Sequence, residues 1–347
     1  MNNKIKTIEQ RYSLQIDYVV DQHYSEKEEE KYQEKEVYSS IQKALDSVKE
    51  DSATIFISEG VFYEKIVIEK PSITLIGEGR DKTVVTYDVA SGTEKNDGTT
   101  YGTFGSASVT VREPNFTAIN MTFENSFDYI NEYRKRDDDP TKVSHIQAVA
   151  FRTTDESDNV MIEHCCFRGY QDTLLVDAGT HYFTNCVIEG AVDFIFGSGQ
   201  TVFEACDIVS LDRGETENNG FITAASTSID VPYGYLFESC KLLKESTDMA
   251  DDTVYLGRPW HPGGDPDAQA SVLFYHCNME AHIKAQGWTE MGGFSPMEAR
   301  LYEYSSQGAG AILNDKRRLL TKQEAERFRD YLRDCCVRNR KIRYSPL

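Results

Sequence analysis

Between residues 169 and 199 the chain reads GYQDTLLVDAGTHYFTNCVIEGAVDFIFGSG, and the reading of this stretch decides the fold. Two carboxylates stand there in apolar company, Asp172 before Thr-Leu-Leu-Val and Asp193 before Phe-Ile-Phe. A cysteine precedes each by seven residues, Cys165 for Asp172 and Cys186 for Asp193. Each cysteine has an apolar residue three places before it and another two places after it.

Followed outward, that unit recurs as Phe116-Ile119-Met121, Ile162-Cys165-Phe167, Phe183-Cys186-Ile188, Phe203-Cys206-Ile208, Phe237-Cys240-Leu242 and Phe274-Cys277-Met279. The steps from Cys165 to Cys186 and Cys206 are 21 and 20 residues, and the next two, 34 and 37, leave room for longer loops. A period of about twenty residues belongs to a solenoid, whose coils bury their inner faces only by stacking. The expected fold is all-β, a parallel β-helix in a single domain, with its coils over about residues 12–315. Strand-like segments rich in Val, Ile, Thr and Phe lie at 12–20, 54–57, 65–68, 72–76, 83–87, 107–111 and 116–123.

Stacking places equivalent residues about 4.8 Å apart. The cysteines then form an internal ladder of small apolar filler, with a disulfide between rungs such as Cys186 and Cys206 as the oxidised alternative. Two helices frame the coils. Near 37–50, Ile41, Ala44, Leu45 and Val48 fall at helical spacing behind an N-cap at Ser39 or Ser40. At 321–340, the capping-box pattern Thr321-x-x-Glu324 opens a helix with Ala325, Phe328, Leu332 and Cys335 on one face. The charged stretch 25–36 reads as a solvated loop, and Arg338, Arg340, Lys341 and Arg343 as a solvated basic tail.

The chain has 347 residues, with 57 acidic against 37 basic side chains and a formal net charge of -20. That charge argues against nucleic acid or an anionic membrane surface as partner. No apolar run approaches the roughly 18 residues of a spanning helix, and the N-terminus has no apolar signal core, so a cytoplasmic monomer is expected. The eight cysteines include no Cys-x-x-Cys, and the vicinal pairs Cys165-Cys166 and Cys335-Cys336 lack the spacing of a zinc site.

Applied to the two acids, the ladder puts Asp172 and Asp193 side by side on adjacent coils. Two carboxylates that close in apolar surroundings do not both ionise freely: one takes a raised pKa, and the other stays charged if a cation supports it. An acid and a nucleophile need that division. Arg258, in LGRPW, is a stiffly held guanidinium able to grip a carboxylate with two hydrogen bonds. Gln171, beside Asp172, and Gln147, in HIQAVAF, offer neutral amide donors to an oxyanion. Gly-x-Ser-x-Gly, His-Glu-x-x-His and a Walker loop are all absent. At this point two other readings stay open: a retaining glycoside hydrolase, which also uses paired acids, and a non-catalytic carbohydrate-binding β-helix that keeps Trp260.

Seven segments together resemble the pectin methylesterase (pectinesterase) family: GVFYEKI from Gly60, TYGTFGSASVTV from Thr100, HIQAVAF from His145, GYQDTLLV from Gly169, GAVDFIFG from Gly190, LGRPW from Leu256, and Gly287-Trp288. The resemblance covers about residues 37–312. It implies a right-handed parallel β-helix that removes methyl groups from the C6 esters of homogalacturonan or oligogalacturonides without a cofactor. It further implies that Asp193 is the nucleophile, Asp172 the general acid and base, Gln171 and Gln147 the oxyanion donors, and Arg258 the partner of Asp193. Trp260, Phe196, Thr103 and Tyr170 would line the sugar-binding cleft. The loops at 131–142 and 212–219 have no counterpart in the family pattern, and the net charge favours methylated, weakly charged substrate.

Overall fold

The computed structural model describes residues 1–24, 32 and 35–337. Its strands form three parallel sheets of eleven, eight and seven strands. Strands consecutive in the chain fall mostly into different sheets, whereas strands one coil apart pair with each other, which is the connectivity of a β-helix. The helices are α1 (Asn2–Tyr12), α2 (Ile41–Ser47), α3 (Gly102–Ser106), α4 (Tyr129–Arg134) and α5 (Lys322–Cys336).

The repeat is visible in the register. Ile162, Phe183, Phe203, Phe237 and Phe274 are aligned on successive strands of the eleven-stranded sheet. Their rings stack inside, with centroids 5.0 Å apart for Phe183–Phe203, 4.6 Å for Phe203–Phe237 and 4.5 Å for Phe237–Phe274. Burying each such side chain contributes roughly 1.5–3 kcal/mol. Cys165, Cys186, Cys206, Cys240 and Cys277 form the expected ladder, all buried and none in a disulfide. Four of the thiols reach a backbone carbonyl one coil earlier, such as Cys240 Sγ to Phe203 O at 3.3 Å and Cys277 Sγ to Phe237 O at 3.3 Å.

Each ladder position follows a residue in the left-handed conformation: Asn120, His164, Asn185, Ala205, Ser239 and His276, with φ of 56°, 51°, 53°, 52°, 56° and 54°. One left-handed residue turns the chain sharply from the eleven-stranded to the eight-stranded sheet. This turn corrects the first unit of the repeat. Phe123 pairs with Phe167 and Ala118 with Ile162, so the unit is Ala118-Met121-Phe123 rather than Phe116-Ile119-Met121. The apolar run fits the pattern at two offsets, and the turn at Asn120 selects the second. It also splits the segment 116–123 into strands Thr117–Ile119 and Thr122–Asn125.

The N-terminal expectation needs a larger correction. Only Tyr18–Val20 of the segment 12–20 is a strand, and α1 precedes it. Ile5, Ile8 and Tyr12 of α1 cover the outward apolar face formed by Val19, Phe56, Ile76 and Ile119. At the other end of the same sheet, Ala325, Phe328 and Leu332 of α5 cover Val202, Leu236 and Leu273. The Thr321–Glu324 capping box is formed, and α5 ends at Cys336; the basic tail beyond it lies outside the described residues. Helix α2 begins at Ile41 behind Ser40, later than expected, because Glu36–Tyr38 pairs as a strand with Tyr18–Val20. Most of the acidic stretch 25–36 lies outside the described residues. Ile41, Ala44 and Leu45 join the interior core, so α2 closes the first coil.

Candidate active site

The seven-stranded sheet carries the cleft. Asp172 and Asp193 sit where the chain turns into this sheet, and both are left-handed, with φ of 62° and 49°. Aspartate tolerates that conformation better than most residues because its short side chain bonds locally. Gln171 bridges Val192, and Leu174 pairs with Ile195, which sets Asp172 beside Asp193 in register. The amide of Asp172 donates to Val192 O at 3.0 Å. Gly190 is required for the turn, since a Cβ there would meet Phe194 Cβ at 2.1 Å.

The two acids have unequal surroundings. Asp193 is buried, 5% exposed, and is gripped by Arg258 through Nε–Oδ1 at 2.8 Å and Nη2–Oδ2 at 2.6 Å. Phe221 supports that guanidinium from one side, 4.0 Å from its carbon to the ring centroid, and stacks in turn on Tyr255 at 5.4 Å. The backbone amide of Arg258 donates to Thr223 O at 2.9 Å, and Gly257 leaves no room for a Cβ, which would come 2.0 Å from Thr223 Oγ1. Among the described residues, no hydrogen bond reaches the Asp172 carboxyl.

The electrostatics of the two carboxyls differ accordingly. Burial, and then the charge of Asp193, push Asp172 well above the usual carboxylate range. Burial also raises Asp193, but the hydrogen bonds and charge of Arg258 oppose it. Arg258 loses some stabilisation to burial and regains more from Asp193, so its pKa is raised. Both carboxyls therefore lie above the usual range, and only that of Asp193 is held against the rise by hydrogen bonds from Arg258.

Around the acids lies a cleft of about 700 Å³ lined by Gln147, Gln171, Phe196, Arg258, Trp260 and Thr103 among others. The structure therefore brings the five catalytic candidates together with three of the four sugar-binding ones. Gln147 Oε1 is buried without a hydrogen-bond partner, and Trp260 meets Phe196 edge-on at 5.6 Å. Tyr170 is the exception. It stacks on Tyr129 of α4 at 5.2 Å and lines a neighbouring cavity of about 580 Å³. Tyr101, Phe104 and Met291 also line the cleft and were not singled out from the sequence, although Tyr101 and Phe104 lie within the TYGTFGSASVTV segment. Nothing local marks Met291 or the supporting Phe221. Among the described residues no group of three or more His, Cys, Asp or Glu side chains could hold a metal ion.

Fold and site together define a parallel β-helix hydrolase built on an aspartate pair. The pectinesterase family model matches residues 31–329. Pectinesterase A of Dickeya chrysanthemi is 34% identical over 294 residues, covering 79% of this chain and 80% of the relative. A crystal structure of a pectin methylesterase in complex with a hexasaccharide superposes with a TM-score of 0.87 at 32% identity, covering 95% of this chain and 99% of that one. The pectin methylesterase from Yersinia enterocolitica is 40% identical with a TM-score of 0.81, covering 84% and 97%. The chain belongs to the pectinesterase family, its β-helix is right-handed like theirs, and its activity is the demethylesterification of pectin.

Proposed function

We propose that the reaction runs through an acyl-enzyme on Asp193. Its carboxylate attacks the C6 ester carbonyl of a galacturonate residue, and the side-chain amides of Gln147 and Gln171 donate to the resulting oxyanion. As the C–O bond to the methoxy group breaks, Asp172 gives its proton to the departing oxygen and methanol leaves. Water then attacks the acyl carbon while the ionised Asp172 takes its proton, releasing the galacturonic acid product and restoring both aspartates. Arg258 keeps Asp193 charged and aimed, and Phe196 and Trp260 offer apolar surface to the sugar rings.

The observation that carries this reading is the unequal grip on two aspartates in register: two hydrogen bonds from Arg258 to Asp193 and none to Asp172. The test is the product formed from methylated homogalacturonan. Methanol release with no new reducing ends is expected, whereas new reducing ends would identify a glycoside hydrolase instead. The substrates in this reading include short oligogalacturonides met in the cytoplasm. The five stacked thiols outside any disulfide suit that reducing compartment. Activity recovered from the cell exterior rather than the soluble cell fraction would refute the cytoplasmic assignment.

A further inference from the structure

Met291 reaches the cleft from residues 289–299, a loop between Trp288 and the strand Arg300–Tyr304. Both feet of the loop are fixed. The amide of Thr289 donates to the carbonyl of Gly257, the residue before Arg258, at 3.2 Å, and the Arg318 guanidinium donates to the carbonyls of Pro296, Met297 and Ala299. The tip is a two-residue hairpin. Met291 and Phe294 exchange amide–carbonyl hydrogen bonds of 3.2 and 3.0 Å across Gly292 and Gly293, whose φ of 60° and 87° call for glycine at both central positions. Among the described residues, no hydrogen bond ties Met291–Phe294 to the rest of the chain.

A ring holds the tip instead. Phe294 stacks face to face on His261, with centroids 3.6 Å apart and planes 9° from parallel. His261 is itself anchored: its Nδ1 donates to Asp265 O at 2.6 Å, and its carbonyl accepts from the amide of Gly264 at 2.9 Å. A carbonyl only accepts, so Nδ1 carries a proton in this arrangement whether the ring is neutral or charged. His261 directly follows Trp260, whose amide donates to Ala225 O at 3.0 Å. Trp260 lines the catalytic cleft, whereas His261 and Phe294 line a separate cavity of about 320 Å³ with Pro266, Gln269 and Glu298. Two adjacent residues therefore serve two sides, Trp260 the cleft and His261 the hairpin. The place of Met291 relative to Trp260 is set through the His261–Phe294 stack.

We propose that His261 is a positioning residue for substrate binding: it clasps Phe294 and, through the hairpin, holds Met291 against the sugar chain that lies on Trp260. His261 does not line the cleft that contains Asp172 and Asp193, so it acts on binding and not on the bond-making steps. The proposal rests on the pectinesterase reading and deepens it.

The test measures kcat and KM for methanol release from methylated homogalacturonan. It compares the wild type with His261→Ala, His261→Phe, Phe294→Leu, Met291→Ala and the double variant His261→Ala/Met291→Ala. KM should rise about fivefold or more in His261→Ala and Phe294→Leu with kcat within about twofold of wild type, the split expected when binding common to ground and transition states is lost. His261→Phe keeps a ring for Phe294 to stack on and should return KM to within about twofold of wild type. Because His261 works through Met291, adding His261→Ala to Met291→Ala should change KM little further. A fall in kcat at unchanged KM, no effect of His261→Ala, no rescue by His261→Phe, or losses that multiply in the double variant would each overturn the proposal. Absence of methanol with the wild type would instead overturn the esterase reading beneath it.

Discussion

Asp172 and Asp193 share residue type, left-handed backbone and register, yet only Asp193 is gripped by a guanidinium, while Asp172 is held well above the usual carboxylate range. In the unfolded chain Asp172 titrates near the ordinary value of 3.8, and in the native state well above it. Across that window the native state binds more protons than the unfolded one, so its contribution to stability falls as pH rises. Asp172→Asn should therefore stabilise the protein at neutral pH, by about 1 kcal/mol or more. Asp193→Asn strips Arg258 of its counter-charge and should destabilise by about 1–3 kcal/mol. Urea midpoints of the two variants check the order, and equal shifts would show that the two sites are electrostatically alike. The pairing was legible because a seven-residue count from an internal ladder is a distance measurement in a solenoid. Phe221 was not, since its place beneath Arg258 depends on a loop returning from a later coil.

The element that carries most of the architecture is the one-residue turn before each ladder position. Its sequence signature is weak: Asn, His, Asn, Ala, Ser and His occupy it, and only the two asparagines are habitual left-handed residues. The sequence therefore showed the ladder but not the turn, and the first repeat unit was placed two residues early. Ala205 is exposed and holds φ of 52°, a conformation that strains a residue with a Cβ. Ala205→Gly should relieve that strain and stabilise the fold by roughly 0.5–1 kcal/mol, net of the extra freedom glycine has when unfolded. A lower denaturation midpoint would mean that the turn is not strained. Helix α1 was missed for a related reason. Its apolar residues Ile5, Ile8 and Tyr12 cover an outward sheet face whose need for cover is apparent only once the coils are stacked.

Over the whole molecule, the net charge of -20 sets an expectation of methylated, weakly charged substrate, but it says nothing of how charge is placed around the cleft. Arg258 is spent on Asp193, while Lys95 and Arg152 face the wall at α3 without carboxylate partners. Composition cannot report such an arrangement, because the residues concerned come from separate coils and a short helix between them. Fold class and the five catalytic candidates followed from periodicity and motif. Of the cleft walls, Thr103, Phe196 and Trp260 followed as well, whereas Tyr101, Phe104 and Met291 did not. The central claim is that Asp193 is the nucleophile and Asp172 its proton partner. It is tested most directly by methanol release from methylated homogalacturonan by wild type, Asp193→Ala and Asp172→Asn, each shown to be folded by its thermal transition. Losses of at least about a thousandfold in both variants are predicted; an Asp193→Ala enzyme that releases methanol at the wild-type rate would contradict the account.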